Sequence, residues 1–204
     1  MLKILINESD VLFCRGMKDI LSELFCKRFN RQVDFLADFT QENIANADVI
    51  VLSLCNGERY LCFPELRARR KGIIIGLVDK NDFQERSPSC FADIVYIVRR
   101  EPLCAITDKL TVTWEKWLVS EGFPQYRSCL GCKHFILSLQ QREIMSGFYY
   151  GNTVKDVAKI LNIDYKKVAA QKHIVMRKFK LKSDYELFRF LGMLREKNET
   201  RLFL

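Results

Sequence analysis

The sequence predicts an α/β domain with a doubly wound parallel sheet over residues 1–118, followed by an all-α domain over residues 136–204 and joined to it by a linker at residues 119–135. Residues 1–118 contain short apolar runs and a segment whose apolar residues follow helical spacing. In residues 136–204 the apolar residues follow helical spacing throughout. The charge is also divided. Residues 1–120 carry 17 Lys and Arg and 17 Asp and Glu, whereas residues 121–204 carry 16 and 8. A compact basic domain suggests a polyanionic partner.

The first domain is predicted from its strands. An apolar run at residues 3–6 precedes a segment at residues 11–29 whose apolar side chains follow helical spacing. Further runs, rich in Val, Ile and Leu, lie at residues 33–36, 48–54, 72–78 and 94–98. Strands that are covered on both faces have this composition. Five such strands with intervening segments therefore predict a doubly wound sheet.

The residues that follow these strands determine the chemistry of the domain, because ligands bind at the carboxyl ends of the strands in such a sheet. The order and spacing of the elements over residues 1–118 resemble the receiver domain of response regulators, a CheY-like fold. The resemblance places the acidic pair at Glu8 and Ser9 and the phosphoacceptor at Ser53. It places Arg99 or Arg100 where receivers carry a lysine.

The departures from the receiver pattern predict a domain without phosphotransfer. The Ser53 hydroxyl cannot form an acyl phosphate. Because serine replaces the aspartate of a receiver, the pocket also lacks one of the charged oxygens that hold Mg²⁺. We therefore expect a pseudo-receiver, kept for protein contacts, with a degenerate phosphoacceptor pocket at Glu8, Ser53 and Arg99. A rearranged acceptor at Asp10 or Asp79 is the alternative.

The last domain is predicted from helix caps and apolar spacing. The expected amino-terminal caps are Ser138, Thr153, Asp164 and Ser183, and the expected stop of the first helix is Gly151. A tight turn at residues 162–163 joins the second and third helices, and the third helix is basic on its outer side. Two short helices joined in this way are the sequence form of a helix-turn-helix.

The same segment resembles the DNA-binding domain of the LuxR/FixJ (NarL) family of bacterial transcription regulators. The family pattern is roughly LTxRExEVLxLxAxGxSNKEIAxxLxISxxTVKxHxxxIxxKL. From Leu137 this chain reads LSLQQREIMSGFYYGNTVKDVAKILNIDYKKVAAQKHIVMRKF, without a gap. The resemblance implies a LuxR-type helix-turn-helix that binds double-stranded DNA. Ala169 replaces a lysine of the pattern, and Gln171 replaces a histidine.

The expected DNA contacts lie mainly on the third helix. They are Thr153, Lys155, Lys166, Lys167, Ala169, Ala170, Gln171, His173, Arg177 and Lys178. The resemblance assigns base contacts to Ala169, Ala170 and His173, and phosphate contacts to Lys155 and other basic residues. Alanine can touch a thymine methyl group but offers no hydrogen bond. We therefore expect sparse direct readout and largely electrostatic affinity.

The family resemblance also predicts the partners. It implies a homodimer, or a heterodimer with another LuxR-type regulator, and RNA polymerase is a further candidate. A receiver-like domain without its acceptor is similar to the RcsA-like auxiliary regulators, which pair with a phosphorylatable partner. We expect no cofactor and no membrane contact. A cytoplasmic location is expected, because the amino terminus lacks a signal sequence and no segment reaches roughly 18 apolar residues.

Two other functions remain open at this point. The first alternative to a DNA-binding regulator is an interaction protein that titrates another regulator. The second is a redox or metal sensor built on Cys129 and Cys132. A closed zinc site needs four ligands, and no second cysteine pair lies at finger spacing. An enzyme is not expected, because the sequence has two histidines, both beyond residue 130, and no Gly-rich phosphate loop.

Overall fold

A computed structural model describes residues 1–79, 93–120 and 135–197, and the backbone alone of Lys197. The chain divides into two compact units, one formed by Met1–Leu54 and Cys62–Lys133 and the other by Cys55–Leu61 and His134–Leu204. Cys129 and Cys132, on which the sensor hypothesis depends, lie outside the described residues. Within the described ranges, no helix combines the length and apolarity that a membrane span requires.

The first unit contains a five-stranded parallel sheet in the order β2-β1-β3-β4-β5. The strands are β1 Leu2–Asn7, β2 Val33–Leu36, β3 Val49–Ser53, β4 Ile73–Val78 and β5 Ile94–Val98. The helices within its described ranges are α1 Val11–Phe29, α2 Gln41–Asn46 and α3 Leu103–Val119, with a 3-10 turn at Pro64–Ala68. This strand order is that of CheY-like folds, so the predicted α/β class is confirmed.

The central strands are buried because side chains on both of their faces enter a core. Val49 and Val51 of β3 pack in a cluster with Phe25 of α1 and Trp114 of α3, whose rings meet edge to face at 5.1 Å. Ile50, between them, points to the opposite face and to a second cluster. Successive strand residues alternate in direction, which is why the run is apolar without interruption.

The described part of the second unit contains four α-helices, α4 Leu139–Tyr149, α5 Val154–Ile160, α6 Tyr165–Lys178 and α7 Asp184–Lys197. All four predicted caps are confirmed. Ser138, Thr153, Asp164 and Ser183 each accept a hydrogen bond from a backbone N–H two or three residues later. Gly151 follows α4 with a φ of 79°, in the left-handed region that glycine adopts without strain. The predicted all-α class of this domain is confirmed.

The core of the second unit is formed by the inner faces of these helices and by the short segment of residues 55–61. Val168, Val175 and Phe179 are fully buried, as their helical spacing predicts. Tyr60 of the short segment stacks on Phe135 at 5.3 Å, and its carbonyl accepts the Phe135 N–H at 2.9 Å. The contribution of residues 55–61 to this unit was not predicted.

Candidate nucleic-acid interface and degenerate acidic pocket

The turn between α5 and α6 fixes the direction of α6. Asn162 adopts a φ of 50°, a left-handed conformation that asparagine tolerates better than most residues. The N–H of Ile163 donates to the carbonyl of Ala158 at 3.0 Å and closes the turn. Asp164 then caps α6 through the Lys166 N–H at 2.8 Å. Two helices joined by so short a turn form a helix-turn-helix, with α6 in the recognition position.

The inner side of α6 is attached to the rest of the unit by polar as well as apolar contacts. The Gln141 amide of α4 donates to the Gln171 carbonyl oxygen at 3.0 Å. Lys172 forms an ion pair with Asp184 at 2.8 Å, and Lys178 donates to the Ile136 carbonyl at 2.5 Å. Gln171 and Lys178, predicted to contact DNA, are therefore half-buried and bonded within the unit.

The opposite side of α6 is open to solvent. We define the α6 outer face as Lys166, Lys167, Ala170, His173, Ile174 and Arg177, all of them exposed. The side chains of Lys166, Lys167 and Arg177 make no hydrogen bond or ion pair to another described residue. Ala169 is half-buried at the edge of this face. The outer face thus presents three cations whose charges are not neutralised internally.

The start of α5 carries the two remaining predicted contacts. Thr153 is exposed, but both of its polar groups are used in a capping box with Asp156. Its hydroxyl donates to the Asp156 carboxylate at 2.6 Å and its backbone N–H donates at 3.1 Å. These two hydrogen bonds lower the pKa of Asp156. Lys155, on the same helix, is exposed.

The degenerate pocket of the first unit is built where the strands end. Arg99, directly after β5, donates from its Nη2 atom to the Glu8 carboxylate and to the Ser53 hydroxyl, the latter at 2.5 Å. Its Nε atom lies 3.6 Å from Asp79, and its guanidinium lies 4.5 Å above the ring of Phe13. The structure therefore brings together Glu8, Ser53 and Arg99, and it selects Arg99 over Arg100.

The chemistry of this pocket differs from that of a metal-binding acidic cluster. The Glu8 side chain is only 2% exposed, and its partner is a guanidinium that stays protonated in proteins. A permanent internal cation therefore neutralises the carboxylate that a receiver would offer to Mg²⁺. Asp10 is turned outward and accepts the N–H groups of Leu12 and Phe13 at the start of α1.

The sequence of the second unit decides its family. Residues 136–191 match the family of bacterial regulatory proteins, luxR family. Residues 136–191 are a LuxR-type helix-turn-helix domain. The match covers α4, α5, α6 and the first half of α7, and so it includes the whole α6 outer face.

The fold of the whole chain has similar solved structures. A complex of the two-component response regulator RcsB with DNA has a TM-score of 0.51 at 17% identity, over 95% of this chain and 98% of that chain. RcsB from Salmonella enterica serovar Typhimurium, bound to promoter P1flhDC with the phosphomimetic BeF3⁻, has a TM-score of 0.53 at 19% identity, over 93% and 97%. No curated protein matched the sequence. The chain therefore combines a LuxR-type domain with a receiver-like fold.

Sequence reasoning missed one residue of the α6 outer face. It did not single out Ile174, a branched apolar residue that is 38% exposed. The DNA contacts of Gln171 and Lys178 stay predictions. Their internal hydrogen bonds were not expected, although at ~100° per residue the helical wheel places Gln171 only ~60° from the buried Val168.

Proposed function

We propose that this chain is a cytoplasmic transcription regulator that binds double-stranded DNA through the α6 outer face of its LuxR-type domain. The observation that carries the proposal is the set of three exposed, internally unpaired cations, Lys166, Lys167 and Arg177, on the recognition helix. An α-helix fits the major groove, and each lysine or arginine that reaches a phosphate releases counterions. The charge excess of residues 121–204 points to the same unit.

The predicted DNA-contacting residues differ in exposure and in their hydrogen bonds within the unit. We assign phosphate contacts to Lys155, Lys166, Lys167 and Arg177, with Thr153 holding the start of α5, and base contacts to Ala169, Ala170 and His173. Gln171 and Lys178 receive a supporting role. Their bonds to Gln141 and to the Ile136 carbonyl fix α6 in the unit.

Fluorescence anisotropy with a labelled random-sequence duplex tests DNA binding. The logarithm of the binding constant should fall linearly with the logarithm of the salt concentration, by about 0.9 for each phosphate contact. Four engaged cations per chain give a slope of about −3.6. A slope near zero, or no binding at low salt, would contradict the proposal and favour a protein that titrates another regulator.

We further propose that aspartyl phosphorylation does not control the chain. Arg99 already neutralises Glu8, and Ser53 supplies no carboxylate. Adding BeF3⁻ at a constant Mg²⁺ concentration should therefore leave both the thermal midpoint of the protein and its DNA affinity unchanged. A rise in the midpoint that disappears in the Asp79→Asn variant would show a rearranged acceptor instead, and an unchanged midpoint in both proteins supports the proposal.

We also propose that two chains bind each duplex, as a homodimer or with another LuxR-type regulator. The support is an exposed aromatic surface on α7, where Tyr185 is 69% and Phe188 is 54% exposed. Large exposed apolar groups commonly mark protein contacts. Sedimentation of the protein with a saturating duplex should give two chains per duplex, and fewer in the Phe188→Ser variant. A ratio of one in the unmodified protein would contradict the dimer. RNA polymerase remains a candidate partner of the same complex.

A further inference from the structure

We infer that the α6 outer face reads the C5-methyl groups of thymine through apolar contacts of Ala170 and Ile174, an inference that rests on the proposed function. These residues are four positions apart on one helix, so their side chains are neighbours on the same face. Ile174 is 38% exposed, whereas Val168 and Val175 on the inner face are completely buried. Packing in the domain core therefore leaves more than a third of the Ile174 surface accessible for contact.

The cations of the outer face lie on both sides of this apolar pair. At ~100° per residue, Lys166 and Arg177 lie on one side of the pair around the helix axis, and Lys167 lies on the other. Cations on either side of the apolar pair can reach the phosphate backbones that border a major groove. The groups left to face the base edges between them are the methyl groups of Ala170 and Ile174.

Two polar side chains of α6 that could read bases by hydrogen bonding are directed elsewhere. Gln171, whose side chain suits adenine, is bonded to Gln141, and Lys172 is paired with Asp184. Of the outer-face residues, His173 alone adds a hydrogen-bonding group to the three cations. In the major groove the C5-methyl group distinguishes thymine from the other bases. A methyl-rich recognition surface therefore favours duplexes with neighbouring thymines.

The expected discrimination is modest for each base. Burying one methyl group contributes about 0.8 kcal/mol, which corresponds to about a fourfold change in affinity. Two neighbouring thymines would together give an affinity change of about fifteenfold. The electrostatic part of binding, which depends on phosphates alone, should not change when a methyl group is removed.

The test compares two pools of identical sequence. A random duplex pool is selected on the purified full-length chain and then amplified once with dTTP and once with dUTP, so that the products differ only in the C5-methyl groups. By anisotropy at fixed salt, the uracil form of the selected pool should bind at least about fourfold more weakly than the thymine form. The two forms of the unselected pool should differ much less.

Two single substitutions test whether α6 causes the difference in affinity between the thymine and uracil forms. Ile174→Ala should reduce the preference for the thymine form while keeping the salt slope. Ile160→Ala, which truncates an isoleucine on α5 that is 66% exposed, should keep both. Equal binding of the two selected forms, with a normal salt slope, would overturn the methyl readout and leave the proposed function in place. No binding of any pool at low salt would overturn both.

Discussion

Replacing Arg99 with alanine is expected to lower the free energy of unfolding of the first unit by about 3 kcal/mol. The substitution removes the cation from a Glu8 carboxylate that is 2% exposed, and a buried charge without its partner is costly. This loss is at the lower end of the range for breaking a buried ion pair, because the Arg99 side chain itself is 21% exposed. Urea unfolding followed by tryptophan fluorescence measures the effect, since both tryptophans, Trp114 and Trp117, lie on α3 of this unit.

Two variants identify the cause of this loss. Glu8→Gln, added to Arg99→Ala, removes the unpaired charge and should recover at least about half of the lost stability. Arg100→Ala removes the neighbouring, exposed arginine and should change the free energy of unfolding by less than about 0.5 kcal/mol. An Arg99→Ala variant as stable as the Arg100→Ala variant would contradict the ion pair. So would a double variant that is less stable than Arg99→Ala alone.

Strands and helix starts could be predicted from the sequence where the residues that determine them are close together in the chain. The strand at Ile94–Val98 was predicted at its observed bounds, because its residues form one short apolar run whose side chains contact the cores on both faces of the sheet. The cap at Ser138 was predicted because its partner, the Gln141 N–H, is only three residues away. Helix starts of this kind depend on side chains that the sequence places side by side.

The contacts that define the two sites join distant parts of the chain, and this limited their prediction. Arg99 and Glu8 are 91 residues apart, and alignment to a receiver left Arg99 and Arg100 equivalent. The sheet register resolves this choice, since β5 ends at Val98, opposite Val78 of β4. Lys178 is bonded to a backbone carbonyl 42 residues earlier, which no side-chain pattern reveals. Residues 55–61 were not assigned to the second unit for the same reason, because they contact residues that are far away in the sequence.

Replacing Lys166, Lys167 and Arg177 together with alanine is expected to weaken DNA binding at low salt by roughly a hundredfold or more. The slope of the binding constant against salt, on logarithmic axes, should become shallower by about 3 for each bound chain. These side chains make no internal hydrogen bond or ion pair within the described residues, so their truncation should leave the stability of the second unit nearly unchanged. Anisotropy titrations over a range of salt concentrations measure both effects.

A matched triple variant separates the local interface from the total charge of the protein. Arg15, Arg31 and Lys116 are exposed cations of the first unit, and replacing them with alanine removes the same charge. Long-range attraction between a basic protein and DNA would weaken similarly in both variants, whereas phosphate contacts disappear only in the first. Equal losses would therefore show that charge alone drives binding. A loss confined to the α6 variant, with a slope reduced by about 3, would place the phosphates against the α6 outer face, because only groups in contact with DNA displace its condensed counterions.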